Sequence, residues 1–358
     1  MSALEGQVGY HDQPGARSGS RIPNRAGGHL SDAMHSVVSQ DANRDGATPQ
    51  LAPESVDLSV QLGPLHLDNP IMTASGTAGL GLEMEPFFDL SEAGAIVVKT
   101  ITKAPRKGNP LPRLSETPSG LLNSIGLPNK GIDVFIEKTL PALAGKSRCL
   151  VVNIAGVCHG EFSELAGRLD GLPGIDALEL NISCPNVEDG NLPFARDPEV
   201  VKDLVTEVRS ATSLPLITKL SPNVTDVASI AAAAKEAGSD AVSLINTVLG
   251  MSVDWRSGQP GLGTVIGGLS GPAVKPIALR MCLEVKRAVD IPIIGIGGIM
   301  SADDALEFLT VGASAVQVGT AHYKIPDIVP RIIADLREKL AGAGRGSVRE
   351  QIASMKVP

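Results

Sequence analysis

Aromatic residues make up only 3% of this 358-residue chain. A core built without them must rest on Ala, Val, Leu and Ile, which suits a parallel sheet covered by helices. Cysteine is also sparse: Cys149, Cys158, Cys184 and Cys282 form no Cys-x-x-Cys pair and no Cys/His cluster of zinc or iron–sulfur spacing, so no metal site is expected. No stretch approaches the roughly 20 apolar residues of a membrane span, and the start carries no signal-peptide run, which points to the cytosol. Positive charge is in deficit, with 31 Lys and Arg against 39 Asp and Glu and a net charge of -8. That balance argues against nucleic acid or an anionic membrane as the main partner and favours a small-molecule substrate.

What is present is hydrophobic content of 43%, ample for a sizeable core. Residues 1–54 are polar, with one short apolar pattern (Met34, Val37, Val38), and read as a disordered extension unable to fold alone. From Leu58 onward short apolar runs alternate with amphipathic helical stretches, as in repeated β-α units. The runs are 70–74, 95–100, 149–154, 177–182, 215–220, 241–246, 292–297 and 315–319, which predicts an α/β fold, a TIM (β/α)8 barrel over residues 55–342 followed by a C-terminal tail, 343–358. Two long connections interrupt the rhythm, 102–131 after the second strand and 247–270 after the sixth. Long connections of this kind are usually functional. Lys103, Arg106, Lys107 and Arg113 in the first either merely solvate a loop or share in its function, and Trp255 in the second reads as a packing residue.

The active site of a TIM barrel forms at the C-terminal ends of its strands. Here those ends are polar: Ala74-Ser75-Gly76, Lys99-Thr100, Asn153, Asn181, Lys219 and Asn246-Thr247 on the first six, then Gly295-Ile296-Gly297-Gly298 and Gly319-Thr320 on the last two. Each alone is an ordinary turn residue. Together, two lysines on apolar strands imply an anionic ligand, because burying an unpaired ammonium is costly. Glycine-rich ends on the seventh and eighth strands expose backbone N–H groups where this fold commonly holds phosphate. FMN fits that description; a phosphosugar aldolase or isomerase using Lys99 or Lys219 as a Schiff base is the rival, and it leaves the asparagines without a role.

Cys184 follows the fourth strand between Ser183 and Pro185, a polar loop setting that makes it a candidate base. Free cysteine more often packs as a small hydrophobe, which suits Cys149 and Cys282, while Cys158 is a weaker rival. None of His11, His29, His35, His66, His159 and His322 ends a strand, so the proton must go elsewhere. A thiol, with an ordinary pKa of about 8.5 that falls near positive charge, is a workable base.

The stretches Asn69-Pro-Ile-Met-Thr-Ala-Ser-Gly76, Gly108-Asn-Pro110, Asn123-Ser-Ile-Gly-Leu-Pro-Asn129, Asn181-Ile-Ser-Cys-Pro-Asn186, Lys219-Leu-Ser-Pro-Asn223, Ile245-Asn-Thr247, Gly267-Gly-Leu-Ser-Gly-Pro272 and Gly295-Ile-Gly-Gly298 resemble the class 1 dihydroorotate dehydrogenases, within them the NAD-linked, two-subunit type. The resemblance implies that Cys184 removes the C5 proton of dihydroorotate while hydride leaves C6 for FMN. It implies that Lys99, Asn123, Asn181, Asn186, Asn246 and Thr247 hold the substrate. It likewise implies that FMN lies against Ala74, Ser75, Gly76, Lys99, Thr100, Asn153, Asn181, Lys219, Ile245, Gly271, Gly297, Gly298, Gly319 and Thr320. A separate subunit with FAD and an iron–sulfur cluster would carry electrons to NAD, with the catalytic chains paired inside a heterotetramer. The fumarate-using soluble type and the flavin barrel of dihydropyrimidine dehydrogenase are the alternatives. The quinone-using class has a serine base and an apolar N-terminal helix, unlike this chain. Two departures from the family loop stand at Gly190-Asn191 and Phe194-Ala195.

Overall fold

The computed structural model describes residues 51–183 and 194–356. Eight short strands form one parallel sheet: β1 (Ile71–Thr73), β2 (Ile96–Val97), β3 (Leu150–Ile154), β4 (Ala177–Asn181), β5 (Leu216–Lys219), β6 (Ala241–Leu244), β7 (Ile293–Ile296) and β8 (Ala315–Val318). The order runs β1-β8-β7-β6-β5-β4-β3-β2, so each strand except at the seam lies beside its neighbour in sequence. The seam closes where Met72 bridges Ala95 and the Thr73 amide donates to Ala95 O at 3.1 Å. A side chain reinforces it, because Thr73 Oγ1 accepts from the Val97 amide at 2.9 Å. The predicted TIM barrel is the observed fold, and each strand falls inside the apolar run that predicted it.

The surrounding helices include α1 (His159–Leu169), α2 (Pro198–Ala211), α3 (Val227–Glu236), α4 (Lys275–Ala288), α5 (Ala302–Val311) and α6 (Ile328–Gly342). Their starts are written in the sequence. Asp197 caps α2 ahead of Pro198, Asp226 accepts from the Ala228 and Ser229 amides, and Ser301 accepts from the Asp304 amide. Each such cap satisfies amides that have no partner inside the helix and contributes about 1 kcal/mol. Helix α2 then buries Val201, Leu204, Val205 and Val208, the spacing of a single apolar stripe. Few aromatics are available, and three of them sit deep: Phe135, Phe162 and Phe308 are fully buried. Gly295 on β7 makes room for one of them, since a Cβ there would lie 2.4 Å from the Phe308 ring.

Three expectations need correction. The two long connections are not simply loops: Val248–Met251, Ile266–Ser270, Gly120–Asn123 and Leu114–Thr117 pair in that order as an antiparallel sheet. Gly and Pro mark its turns, but pairing between segments far apart in sequence leaves no local signal. Trp255 does not pack inward; it is 77% exposed, with the Arg256 guanidinium 4.6 Å over its ring. Nor do residues 343–356 trail away. Ser347 bridges Asp57, Val348 is buried, and the Ala353 amide donates to Leu309 O at 2.9 Å.

At the other end, Leu51 already packs on the core and Pro53–Ser55 form a 3-10 turn. The expected disorder of residues 1–50 lies outside the described residues. The hairpin Val60–Leu62 and Leu65–Leu67 buries its alternate residues and turns at Gly63, which lies against Asp240 at the start of β6 and so places the hairpin at the end of the barrel away from the strand C-termini. Among the described residues no helix is long and apolar enough to cross a membrane.

Candidate active site

Above the C-terminal strand ends lies a cavity of ≈ 460 Å³, within the ~300–1,000 Å³ range of small-molecule sites. Its lining gathers Ala74, Ser75 and Gly76 after β1, Lys99 and Thr100 after β2, Asn181 at the end of β4, Lys219 at the end of β5, and Ile245, Asn246 and Thr247 after β6. Gly297 and Gly298 after β7, Gly319 and Thr320 after β8, Asn123 from the antiparallel sheet and Gly271 just past its end also line it. Cys184 and Asn186 lie outside the described residues. The chain on either side of them lines the cavity through Ser183, Ala195 and Arg196, and Ser183 Oγ donates to Lys219 O at 3.0 Å.

The polar side chains brace one another. Asn181 Nδ2 donates to Thr100 Oγ1 at 3.3 Å, and Asn246 Nδ2 donates to Asn181 Oδ1 at the same distance. Asn223, in a motif whose role the sequence did not disclose, accepts from the Leu249 amide and donates to Thr247 O at 3.0 Å. It thereby pins the loop after β6 that lines the cavity. Asn123 Nδ2 reaches Gly268 O at 3.2 Å. Gly268 must be glycine, since a Cβ there would stand 1.9 Å from Thr247 Oγ1. Arg113 ties the connection after β2 by donating to the carbonyls of Asn109 and Lys107, while Lys103 pairs with Glu164 at 2.6 Å.

Lys99 is held by its own backbone amide, which donates to Gly79 O at 2.8 Å. Burial pushes its ammonium below the ordinary lysine range; Glu83 opposes that shift and the positive charge of Arg113 adds to it. A cation so placed gains from an incoming anion. At the other end of the cavity Gly271, Gly297 and Gly298 have φ of 91°, 131° and 74°, backbone that side chains rarely adopt. A Cβ on Gly298 would lie 3.0 Å from Gly271 O and 2.7 Å from Lys275 Cβ. Thr320 Oγ1 donates to Ser270 Oγ at 2.8 Å, joining the segment after β8 to the antiparallel sheet.

Asn153 stands apart from the other proposed FMN contacts. It is fully buried on β3 beneath the lining, donates to Glu179 Oε1 at 2.6 Å, and leaves its own Oδ1 buried without a partner among the described residues. An orphaned acceptor beside a cavity with a glycine cradle and two lysines fits a flat, amide-bearing ring with a phosphate tail, and so fits FMN. Glu179 is the residue that sequence reasoning passed over, although a lone acid in the apolar run Ala177-Leu178-Glu179-Leu180-Asn181 was a visible signal. It shares the inward face with Asn181 by the two-residue alternation of a strand. The buried thiols Cys149 and Cys282 behave as packing residues, with burial raising the Cys149 pKa to about 12.

The family model described as dihydroorotate dehydrogenase matches residues 57–340. The chain is 51% identical over 301 residues to a protein of Geotalea daltonii named dihydroorotate dehydrogenase B (NAD(+)), catalytic subunit, covering 84% of this chain and 99% of that one. It is 50% identical to proteins of the same name from Desulforamulus reducens and Geobacter metallireducens, again over 84% of this chain, with 98% and 99% of theirs covered.

Proposed function

The chain belongs to the dihydroorotate dehydrogenase family, and from that premise we propose that it oxidises dihydroorotate to orotate in pyrimidine biosynthesis, with FMN resident in the cavity and NAD as the eventual acceptor. The observation that carries the reading is the convergence of Lys99, Asn123, Asn181, Asn246 and Thr247 on one cavity that also holds the glycine-rich ends of β7 and β8. One half suits a small carboxylate with ring amides and the other suits a phosphate.

Lys99 receives the substrate carboxylate, and the asparagine set, with Asn186, exchanges hydrogen bonds with the ring amides. Cys184 takes the C5 proton. FMN, when bound, supplies the acceptor for the hydride that leaves C6. It would be held by Ala74, Ser75, Gly76, Thr100, Asn153, Lys219 and Ile245 around the ring and by Gly271, Gly297, Gly298, Gly319 and Thr320 around the phosphate.

The two electrons reach NAD through a second, cytoplasmic subunit bearing FAD and an iron–sulfur cluster, docked on a pair of catalytic chains. The relatives' own name, catalytic subunit, supports a separate partner. So does the uncovered apolar surface of the antiparallel sheet and its connections, where Leu249, Met251, Val253, Trp255 and Ile266 are exposed.

The test is the visible spectrum of the purified protein. A flavin spectrum that orotate perturbs, that uracil leaves unchanged and that dihydroorotate bleaches is the expected result. A colourless protein that takes up no FMN would sink the reading, and a response to uracil would favour the dihydropyrimidine dehydrogenase type.

A further inference from the structure

We propose that Glu179 is a positioning residue that fixes Lys219 and Asn153 beneath the flavin and supplies the counter-charge to Lys219, an inference that rests on the FMN reading above. Inward positions of a TIM barrel are ordinarily filled by branched apolar side chains. Here β4 places a fully buried carboxylate at one of them, and an enclosed charge is costly unless it is paired and hydrogen-bonded.

Glu179 is both. Oε1 accepts from Asn153 Nδ2 at 2.6 Å, and Oε2 accepts from Ser243 Oγ at 2.9 Å and Gln317 Nε2 at 2.6 Å, so β3, β6 and β8 all converge on it. Lys219 Nζ on β5 stands 3.8 Å from Oε1. That distance is an ion pair and not a hydrogen bond. The ammonium is therefore attracted to the carboxylate while its three donors stay available to whatever occupies the cavity that Lys219 lines.

The amide follows the same logic. A carboxylate only accepts, so Asn153 must turn its NH2 toward Glu179, which leaves Oδ1 as an acceptor with no partner among the described residues. One buried acid thus dictates the orientation of two groups proposed to meet the flavin. Its charge also offsets that of Lys219, in surroundings where solvent screens little. Without it an uncompensated cation would sit beside the ring and favour the more negative, reduced form.

The experiment compares FMN affinity and the midpoint potential of the bound flavin in wild type, Glu179→Gln and Glu179→Asp at one fixed pH. In Glu179→Gln the ratio of reduced to oxidised FMN affinity is expected to rise at least about tenfold, a shift of ~30 mV upward for a two-electron couple. Glu179→Asp keeps the charge and is expected to keep the wild-type potential. Should Glu179→Gln fail to fold, Gln317→Lys neutralises the same carboxylate from the opposite wall and is expected to raise the potential likewise. An unchanged potential in a charge-neutralised variant that still binds FMN overturns the inference and leaves the FMN reading standing. So does an equal shift in Glu179→Asp. A wild-type protein that binds no FMN overturns both.

Discussion

Asn246 donates through Nδ2 to Oδ1 of Asn181 at 3.3 Å, so a side chain after the sixth barrel strand orients one at the end of the fourth. With Oδ1 occupied, Asn181 turns its own NH2 to Thr100 Oγ1. Three strands are thereby coordinated by three small polar groups. Asn246→Ala is expected to weaken orotate binding by about 0.5–1.5 kcal/mol beyond its own lost contact, as a neutral hydrogen bond within the site is removed. Orotate titration against the flavin spectrum measures it. Additive losses in Asn246→Ala, Asn181→Ala and the double variant would show that the two side chains act independently.

Lys99→Ala is expected to cost about 1.5–3 kcal/mol in orotate affinity, the range for a hydrogen bond to a charged group. The same lysine predicts an alkaline limit. In the proposed role its ammonium binds the anion, and burial has moved its pKa below the ordinary 10.5. Affinity is therefore full on the acid side and fades as pH rises through that lowered value, sooner than for an exposed lysine. Lys99→Arg, which stays charged, should flatten the profile. An affinity independent of pH in the wild type would remove Lys99 from carboxylate recognition.

Cys184→Ser is expected to retain FMN and orotate binding but to slow flavin reduction by dihydroorotate strongly at neutral pH, with recovery toward alkaline pH. A hydroxyl is a far weaker base than a thiolate. Stopped-flow reduction under anaerobic conditions gives the rate directly, and wild-type speed in the variant would move the base elsewhere.

The strand ends were legible because a parallel barrel enforces a simple grammar: apolar run, then whatever the site needs. Lys99, Asn181, Lys219 and Asn246 all break an apolar run at its end, and all line the cavity. Glu179 and Gln317 escaped notice because they sit one layer down, inside otherwise apolar runs, and their meaning depends on a partner across the barrel. The resemblance places Asn153 against FMN, while its hydrogen bond to Glu179 could not be seen without the register that sets the two opposite each other on β3 and β4. The antiparallel sheet was hidden for the same reason: the partners Asn123 and Gly268 are brought together only by the closed barrel.

His322 supplies a test of stability apart from catalysis. It is buried just after β8, with Nδ1 3.1 Å from Gly319 O and Nε2 without a partner among the described residues. Burial lowers its pKa from the ordinary 6.5, with the Gly319 carbonyl opposing. The unfolded chain then binds a proton that the folded one refuses, so stability is fully present above the unfolded value of 6.5 and is lost as pH falls below it toward the depressed folded value. Urea unfolding across that window should show the slope in the wild type and a shallower one in His322→Phe. Equal slopes would mean that His322 is not the group responsible.

The antiparallel sheet bears on how this enzyme can diversify. Barrels of this kind are usually modular, since each loop can be exchanged while the scaffold stays put. Here the insertion after β2 and the insertion after β6 share one hydrogen-bonded sheet: Leu121 pairs with Ser270, Leu122 with Leu269 and Asn123 with Gly268. Each contributes residues to the same cavity, Asn123 from one and Thr247 from the other. Neither insertion can drift in length or register without displacing its counterpart. The two segments are in effect a single heritable unit split between two places in the chain, and transplanting specificity from a relative would require moving both together.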